Sequence, residues 1–301
     1  MGFALLTTQA LGPLNRLVYV GYNNSSRISS EGPPLGKIKR QLATYSRGRS
    51  RESFTSRFRR NLKVESQMKT KIALPKIETL KAVLFDVDGT LTNSDPLHFE
   101  VFRELLLGLG ANGGQPIDTE FFHRHISGRT NAAIFGDLFP EWDTERINEV
   151  AEDKEAKFRE LAADVLTPLA GLLKLTAWIK QTGLKVAAVT NAPRENAELM
   201  ISALGLDGYF DLLVIGAECA RAKPHPDPYQ AALDHFQLGP NEAVVFEDSP
   251  TGMASGLAAG VATVGILTSQ TAATMEEGGA SITIVDYESV VLWEYLNARE
   301  E

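Results

Sequence analysis

The feature that most constrains this chain is an alternation of short apolar runs with helical patterns. Residues 82–86, 185–190, 212–215, 243–246, 261–266 and 282–285 are rich in valine, isoleucine and alanine and have strand length. Residues 172–182, 195–204, 229–236 and 252–259 repeat their apolar positions at the spacing of a helix. Strands that are apolar at nearly every position must be covered on both faces. Strands that alternate with helices specify an α/β fold, a doubly wound parallel sheet with helices on either side. Ligands of such sheets bind outside the carboxyl ends of the strands. Here those ends are polar: Asp86 follows the first run, Thr190-Asn191 closes the second, and Glu247-Asp248 follows the fourth.

One stretch breaks the alternation. Residues 96–166 read as helices only, with Phe99, Phe102, Leu105, Leu106 and Leu109 at helical spacing. The expectation is a small helical cap inserted after the first strand, where it can cover the site. The core is then expected over 77–95 and 167–301, with the cap over 96–166.

The first 76 residues differ from the rest. Through Ile72 the chain has 14 basic and 3 acidic residues, a net of +11, and the remainder has 16 and 35, a net of -19. Arg57, Arg59, Arg60 and Lys63 cluster, and no acidic residue precedes Glu31. An Arg- and Ser-rich, acid-poor segment buries too little apolar surface to offset its ordering entropy, so it is expected to be disordered. Its composition suits an organellar transit peptide. The alternative is a cytoplasmic protein starting at Met68. The acidic body is a poor partner for nucleic acid, whose phosphates require clustered positive charge. The single cysteine, Cys219, excludes an intrachain disulfide and a cysteine metal cluster. No apolar run approaches the ~18 residues of a membrane span, so no membrane partner is expected. The sequence gives no oligomeric state.

Four pieces carry chemistry. In Asp86-Val87-Asp88-Gly89-Thr90, a turn that Gly89 permits aims two carboxylates into one site. One can attack phosphorus while the other handles protons. At Thr190-Asn191, a hydroxyl and backbone amides can hold phosphoryl oxygens. Lys223, in the loop after the third strand, is a point charge suited to a phosphoryl group or an anionic nucleophile. Glu247-Asp248 offers hard oxygen ligands of the kind magnesium takes. Singly, these pieces have ordinary explanations: an Asx turn, turn chemistry, a solvated lysine, a helix N-cap pair. Their joint occurrence at successive strand ends does not.

With these motifs in order, the chain resembles the haloacid dehalogenase-like hydrolase superfamily over residues 80–301. The run Leu84-Phe85-Asp86-Val87-Asp88-Gly89-Thr90-Leu91, the run Ala188-Val189-Thr190-Asn191-Ala192-Pro193 and the run Phe246-Glu247-Asp248-Ser249 are similar to plant sugar-phosphate phosphatases, close to the β-phosphoglucomutase-like branch. The resemblance implies that Asp86 is a nucleophile forming an aspartyl-phosphate and that Asp88 is the general acid and base. It implies Mg2+ held by Asp86, the Asp88 main-chain oxygen and Asp248, with Glu247 direct or one shell removed. It further implies that Thr190, Asn191 and Lys223 cradle the transferred phosphoryl group. Two cap candidates follow. His98 matches a hinge histidine in its spacing from Asp86, and Arg129 resembles an arginine that grips a substrate's distal anion. Asp88 sets the chain apart from the dehalogenase branch, which lacks an acid there. The expected activity is phosphatase on small sugar phosphates, and the similarity to plant proteins implies a plastid before a mitochondrion as the address of the extension. The alternatives are a phosphomutase of the β-phosphoglucomutase type and a non-catalytic module on the same fold.

Overall fold

The computed structural model describes residues 71–163 and 165–298. The basic extension, its disorder, its transit-peptide reading and the organellar address all fall on residues before 71, outside the described residues. The sequence reading ended that extension at 76. The structure ties the chain down slightly earlier: Ser281 Oγ donates to the Ile72 carbonyl at 2.6 Å and Tyr295 Oη to that of Pro75 at 2.9 Å.

Six strands form one parallel sheet: β1 (Ala82–Phe85), β2 (Lys185–Thr190), β3 (Leu212–Ile215), β4 (Ala243–Glu247), β5 (Ala262–Ile266) and β6 (Ile282–Ile284). Their order is β3-β2-β1-β4-β5-β6, so the chain winds outward from β1 in both directions. Phe85 pairs with Ala188 on one side and Phe246 on the other. This register sets Asp86, the next residue, between the carboxyl ends of β2 and β4. The strands end within a residue of their expected limits because each is a short, mostly apolar or β-branched run bounded by polar or turn residues.

Alternate residues of the strands go to opposite faces, as the pleat requires. Val83, Phe85, Val186, Ala188, Val244 and Phe246 share one apolar cluster; Ala82, Leu84, Ala187, Val189 and Val245 share the other. Phe85 and Phe246 stack with ring centroids 5.2 Å apart. Burying such a side chain contributes about 1.5–3 kcal/mol.

The cap consists of α1 (Asp95–Gly108), α2 (Thr119–His125), α3 (Asn131–Leu138) and α4 (Thr144–Ala162), with its own core around Phe102, Leu106, Phe122 and Phe135. Asp118 and Asp143 cap α2 and α4, each accepting a backbone N–H at 2.8 Å. The core helices are α5 (Leu172–Thr182), α6 (Arg194–Ala203), α7 (Asp227–Phe236), α8 (Pro250–Ala258), α9 (Ala272–Glu277) and α10 (Val290–Leu296). Helices α7 and α8 begin two residues before their apolar patterns do. Pro228 and Pro250 occupy their first turns, where a missing N–H leaves no bond unmade. No helix among the described residues is long and apolar enough to cross a membrane.

Candidate active site

The carboxyl ends of β1, β2 and β4, the loop after β3 and the inner face of the cap enclose one cavity. Its lining includes Asp86, Asp88, Thr190, Asn191, Lys223 and Asp248, together with the cap candidates His98 and Arg129. The structure therefore brings together residues from six separate stretches of sequence.

Asp86 is at the centre. Its backbone N–H continues the ladder to the Phe246 carbonyl at 3.0 Å, so the side chain is aimed by the sheet itself. Lys223 Nζ donates to Asp86 Oδ1 at 2.7 Å, to Glu247 Oε1 at 2.6 Å and to the Val189 carbonyl at 2.7 Å. Glu247 is fully buried. Its Oε1 also accepts from Tyr229 Oη at 2.6 Å, and its Oε2 from Ser249 Oγ at 3.3 Å. Glu247 thus lies against the lysine with both oxygens engaged.

Burial, then the neighbouring Glu247, pushes the Asp86 carboxyl up from 3.8 to about 8, with Lys223 pulling the other way. Burial first, then Asp86, Asp95 and Glu247, holds Asp248 well above the usual carboxylate range. Ser269 Oγ donates to Asp248 Oδ2, and no cation pairs with that carboxylate among the described residues. Ligand oxygens of Asp86, Glu247 and Asp248 all lie within 4.8 Å of one another. Several buried carboxylates beside one lysine are a donor set that a divalent cation would complete, and hard oxygen ligands suit magnesium.

Gly89 makes room for this set. At φ +72°, a Cβ there would sit 2.0 Å from Asp248 Oδ2. Only glycine supports both that conformation and that approach. The turn is pinned from the far side, by Thr268 Oγ1 on the Gly89 carbonyl at 2.6 Å and Tyr287 Oη on the Thr90 carbonyl at 2.9 Å.

Asp88 has a different environment. Its Oδ1 accepts from Ser94 Oγ at 2.7 Å and lies 3.0 Å from His98 Nε2. Burial raises this carboxyl, but the bond to His98, its charge and the bond from Ser94 hold it below the usual range overall. The two aspartates are thereby driven in opposite directions. Behind His98, Lys154 Nζ lies 3.0 Å from Nδ1, and Phe158 stacks on the ring at 4.0 Å.

Other candidates turn out to be engaged. Asn191 accepts from the Lys223 N–H at 3.1 Å and donates to the Lys223 carbonyl at 3.2 Å, so its side chain positions the lysine loop. Thr190 Oγ1 accepts from the Ala192 N–H at 2.9 Å. Arg129 donates to the carbonyls of His125 and Ala133 and to Asp137 at 2.5 Å, all within the cap.

Sequence reasoning missed Ser94, Tyr229, Lys154 and Glu155. Lys154 had a readable signal. Val150, Lys154, Phe158 and Ala162 recur every four residues along α4, and all four are buried. A lysine in an apolar stripe marks a buried charge.

Residues 83–287 match the family model described as haloacid dehalogenase-like hydrolase. The phosphorylated carbohydrates phosphatase of Thermotoga maritima is 32% identical over 187 residues, covering 60% of this chain and 82% of that protein. The N-acetylmuramic acid 6-phosphate phosphatase of Pseudomonas aeruginosa is 28% identical over 187 residues, covering 62% and 81%. A solved structure of a CbbY mutant from Rhodobacter sphaeroides, in complex with xylulose-(1,5)bisphosphate, shares the fold. Its TM-score is 0.60 at 24% identity, covering 69% of this chain and 95% of that one.

Proposed function

The chain belongs to the haloacid dehalogenase-like hydrolases, and from that premise we propose that it is a magnesium-dependent phosphatase of small sugar phosphates that works through an aspartyl-phosphate on Asp86. The observation that carries this reading is the contrast between Asp86, set against Lys223, and Asp88, set against Ser94 and His98. Two carboxylates in one cavity, held in opposite environments, are suited to different roles.

Lys223, and the metal that Asp86 would hold, offset the burial that raises its carboxyl and leave it ionised; its carboxylate oxygen attacks phosphorus and the bond to the substrate oxygen breaks. Asp88 delivers the proton that this leaving oxygen requires. The carboxyl of Asp88 is held low in the free site. A phosphate dianion arriving beside it raises its pKa and favours the acid form. Once the alcohol has left, Asp88 is a base again and takes a proton from the water that attacks the phosphorus of the acyl phosphate. Asp86 and Asp248 would hold magnesium, which supplies positive charge to the phosphoryl oxygens. Lys223 adds a second charge, and the Thr190 hydroxyl and nearby amides orient the group. A loose phosphoryl transition state is stabilised mainly by such positioning and charge.

The test is a phosphate-release screen over sugar phosphates with magnesium. The expected result is one phosphate per substrate consumed, with no need for a bisphosphate activator, and loss of turnover by several orders of magnitude in Asp86→Asn. An isomerised sugar phosphate that forms only with trace bisphosphate would establish the mutase reading instead. Retention of a tenth of wild-type turnover by Asp86→Asn would rule out the covalent mechanism.

A further inference from the structure

Glu155, which the reaction above does not use, lies on α4 in the cap wall of the same cavity and is 4% exposed. Three donors converge on it. Lys154 Nζ and Asn131 Nδ2 reach Oε1 at 2.9 and 2.5 Å, and Asn196 Nδ2 reaches Oε2 at 2.5 Å. Burial pushes its carboxyl up, but Lys154, His98 and Asn131 bring it below the usual range overall, so it is ionised. A carboxylate has about four acceptor positions, so Glu155 retains capacity, and Oε2 has one partner among the described residues.

The cations lining this cavity already face acceptors. Lys154 faces Glu155 and His98, Arg129 faces two cap carbonyls and Asp137, and Lys223 lies between Asp86 and Glu247. Asp95 adds another carboxylate to the wall, where it accepts from Ser127 Oγ at 3.1 Å. Lys154 offsets the charge of Glu155 but is committed to it, so a second phosphate would find no free cation among the lining residues. It would add charge to a wall whose carboxylates, Asp86, Asp88, Asp95, Glu155 and Asp248, outnumber its cations, and like charges in a site of low dielectric repel. A hydroxyl there would instead donate a hydrogen bond to a charged acceptor, the stronger kind.

We propose that Glu155 is a specificity-determining residue: it accepts hydroxyl groups from the unphosphorylated part of the substrate and excludes a second phosphate, which makes polyhydroxylated monophosphates, not bisphosphates, the substrate class. The proposal deepens the phosphatase reading and rests on it for the reaction, while the recognition can be measured by itself. The rival role is a clasp, because Asn196 lies on α6 of the core and Glu155 therefore joins cap to core. A clasp would affect all ligands alike.

The experiment is calorimetric binding to full-length Asp86→Asn protein in magnesium. The ligand pairs are glucose 6-phosphate with glucose 1,6-bisphosphate, and ribulose 5-phosphate with ribulose 1,5-bisphosphate. The monophosphate of at least one pair is expected to bind about tenfold or more tighter than its bisphosphate, the range of a charge-assisted hydrogen bond. Adding Glu155→Gln should weaken the monophosphate and strengthen the bisphosphate. Adding Glu155→Asp, which keeps the charge and shortens the reach, should weaken the monophosphate and leave the bisphosphate excluded. Bisphosphates that bind as well as monophosphates would overturn the proposal without any Glu155 variant having to fold, as would the absence of monophosphate binding in both pairs. Equal weakening of both ligands by Glu155→Gln would overturn it in favour of the clasp. Phosphate release by the wild-type chain, measured alongside, reports on the phosphatase reading separately: no release with the binding preference intact would remove the reaction and leave the recognition standing.

Discussion

Lys223 stands between two carboxylates that would otherwise face each other in a dry interior, with Nζ 2.7 Å from Asp86 and 2.6 Å from Glu247. Breaking a buried pair by removing one partner costs about 3–5 kcal/mol, since the remaining charge has no compensation. Lys223→Met should therefore lower stability by about that amount in denaturant unfolding and lower turnover by at least ~10³-fold, as loss of both a charge and a positioned nucleophile implies. The pH dependence has a definite sign. Asp86 titrates near 8 in the fold against 3.8 in its ordinary state, so the folded chain binds that proton more tightly than the unfolded one. In metal-free solution this contribution to stability is present at pH 4 and is lost as pH rises through about 8. Melting temperature against pH, with and without chelator, checks it, and magnesium should restore most stability at the alkaline end. Asp248, a buried carboxylate with no cationic partner among the described residues, gives a related expectation. Asp248→Ala should raise the magnesium concentration needed for half-maximal activity at least tenfold, or abolish activity, while full activity of the wild type in excess chelator would exclude the metal altogether.

Helix α8 shows how one element can invert a propensity rule. Replacing a helical glycine with alanine normally stabilises a protein by about 0.5–1 kcal/mol. At Gly252, in the first turn of α8, an added Cβ would lie 1.8 Å from Glu247 Oε1. The methyl group and the carboxylate cannot both remain, and the carboxylate is what anchors Lys223 and Tyr229. Gly252→Ala should thus destabilise the fold and cut turnover, although it improves helix propensity. Gly136, within α3, has no atom within 4 Å of where its Cβ would stand. Gly136→Ala should raise stability by about 0.5–1 kcal/mol and leave turnover unchanged. Thermal melts and initial rates of the two variants, measured side by side, distinguish a glycine kept for packing from one that is not.

Across the whole molecule, cap and core meet through apolar packing, with Phe158 and Ala162 of α4 in the same cluster as Phe85 and Phe246, and through polar contacts. Asn196 on α6 donates to Glu155 on α4 and accepts from Arg159 Nη1 at 2.9 Å. Gly128 of the cap lies so near the loop after β4 that a Cβ would come within 2.9 Å of Ser249 Cβ. The same scale governs truncation. Every candidate site residue follows residue 80, and the earliest contacts to the core that the structure describes come from Ile72 and Pro75. A chain starting at Met68 should keep turnover per folded molecule within about twofold of the full chain, since no residue of the proposed chemistry is removed. A chain starting after Pro75 gives up both of those contacts and should melt at a lower temperature.

What the sequence alone determined is the part that depends on local pattern. Apolar runs fixed the strands, because a buried parallel strand needs no partner to be recognised, and the glycine and acids at their ends followed the strand direction into one site. That Asp86, Asp88, Thr190, Asn191, Lys223, Glu247 and Asp248 would converge at the strand ends was legible for that reason, and the tertiary structure added their surroundings: Glu247 and Asn191 lie against Lys223 itself. Lys154 apart, the buried charge of the cap was not legible. Helix α4 carries acids and bases on every turn, and nothing local distinguishes Glu155 from its solvated neighbours. Its burial is decided by Asn131, 24 residues earlier, and Asn196, 41 residues later. Arg129 illustrates the same point: its charge was legible, but the two carbonyls and Asp137 that the fold brings to it in the cavity wall were not. A side chain's charge is written in the sequence. Whether that charge remains available to a ligand depends on which partners the fold brings within 3 Å.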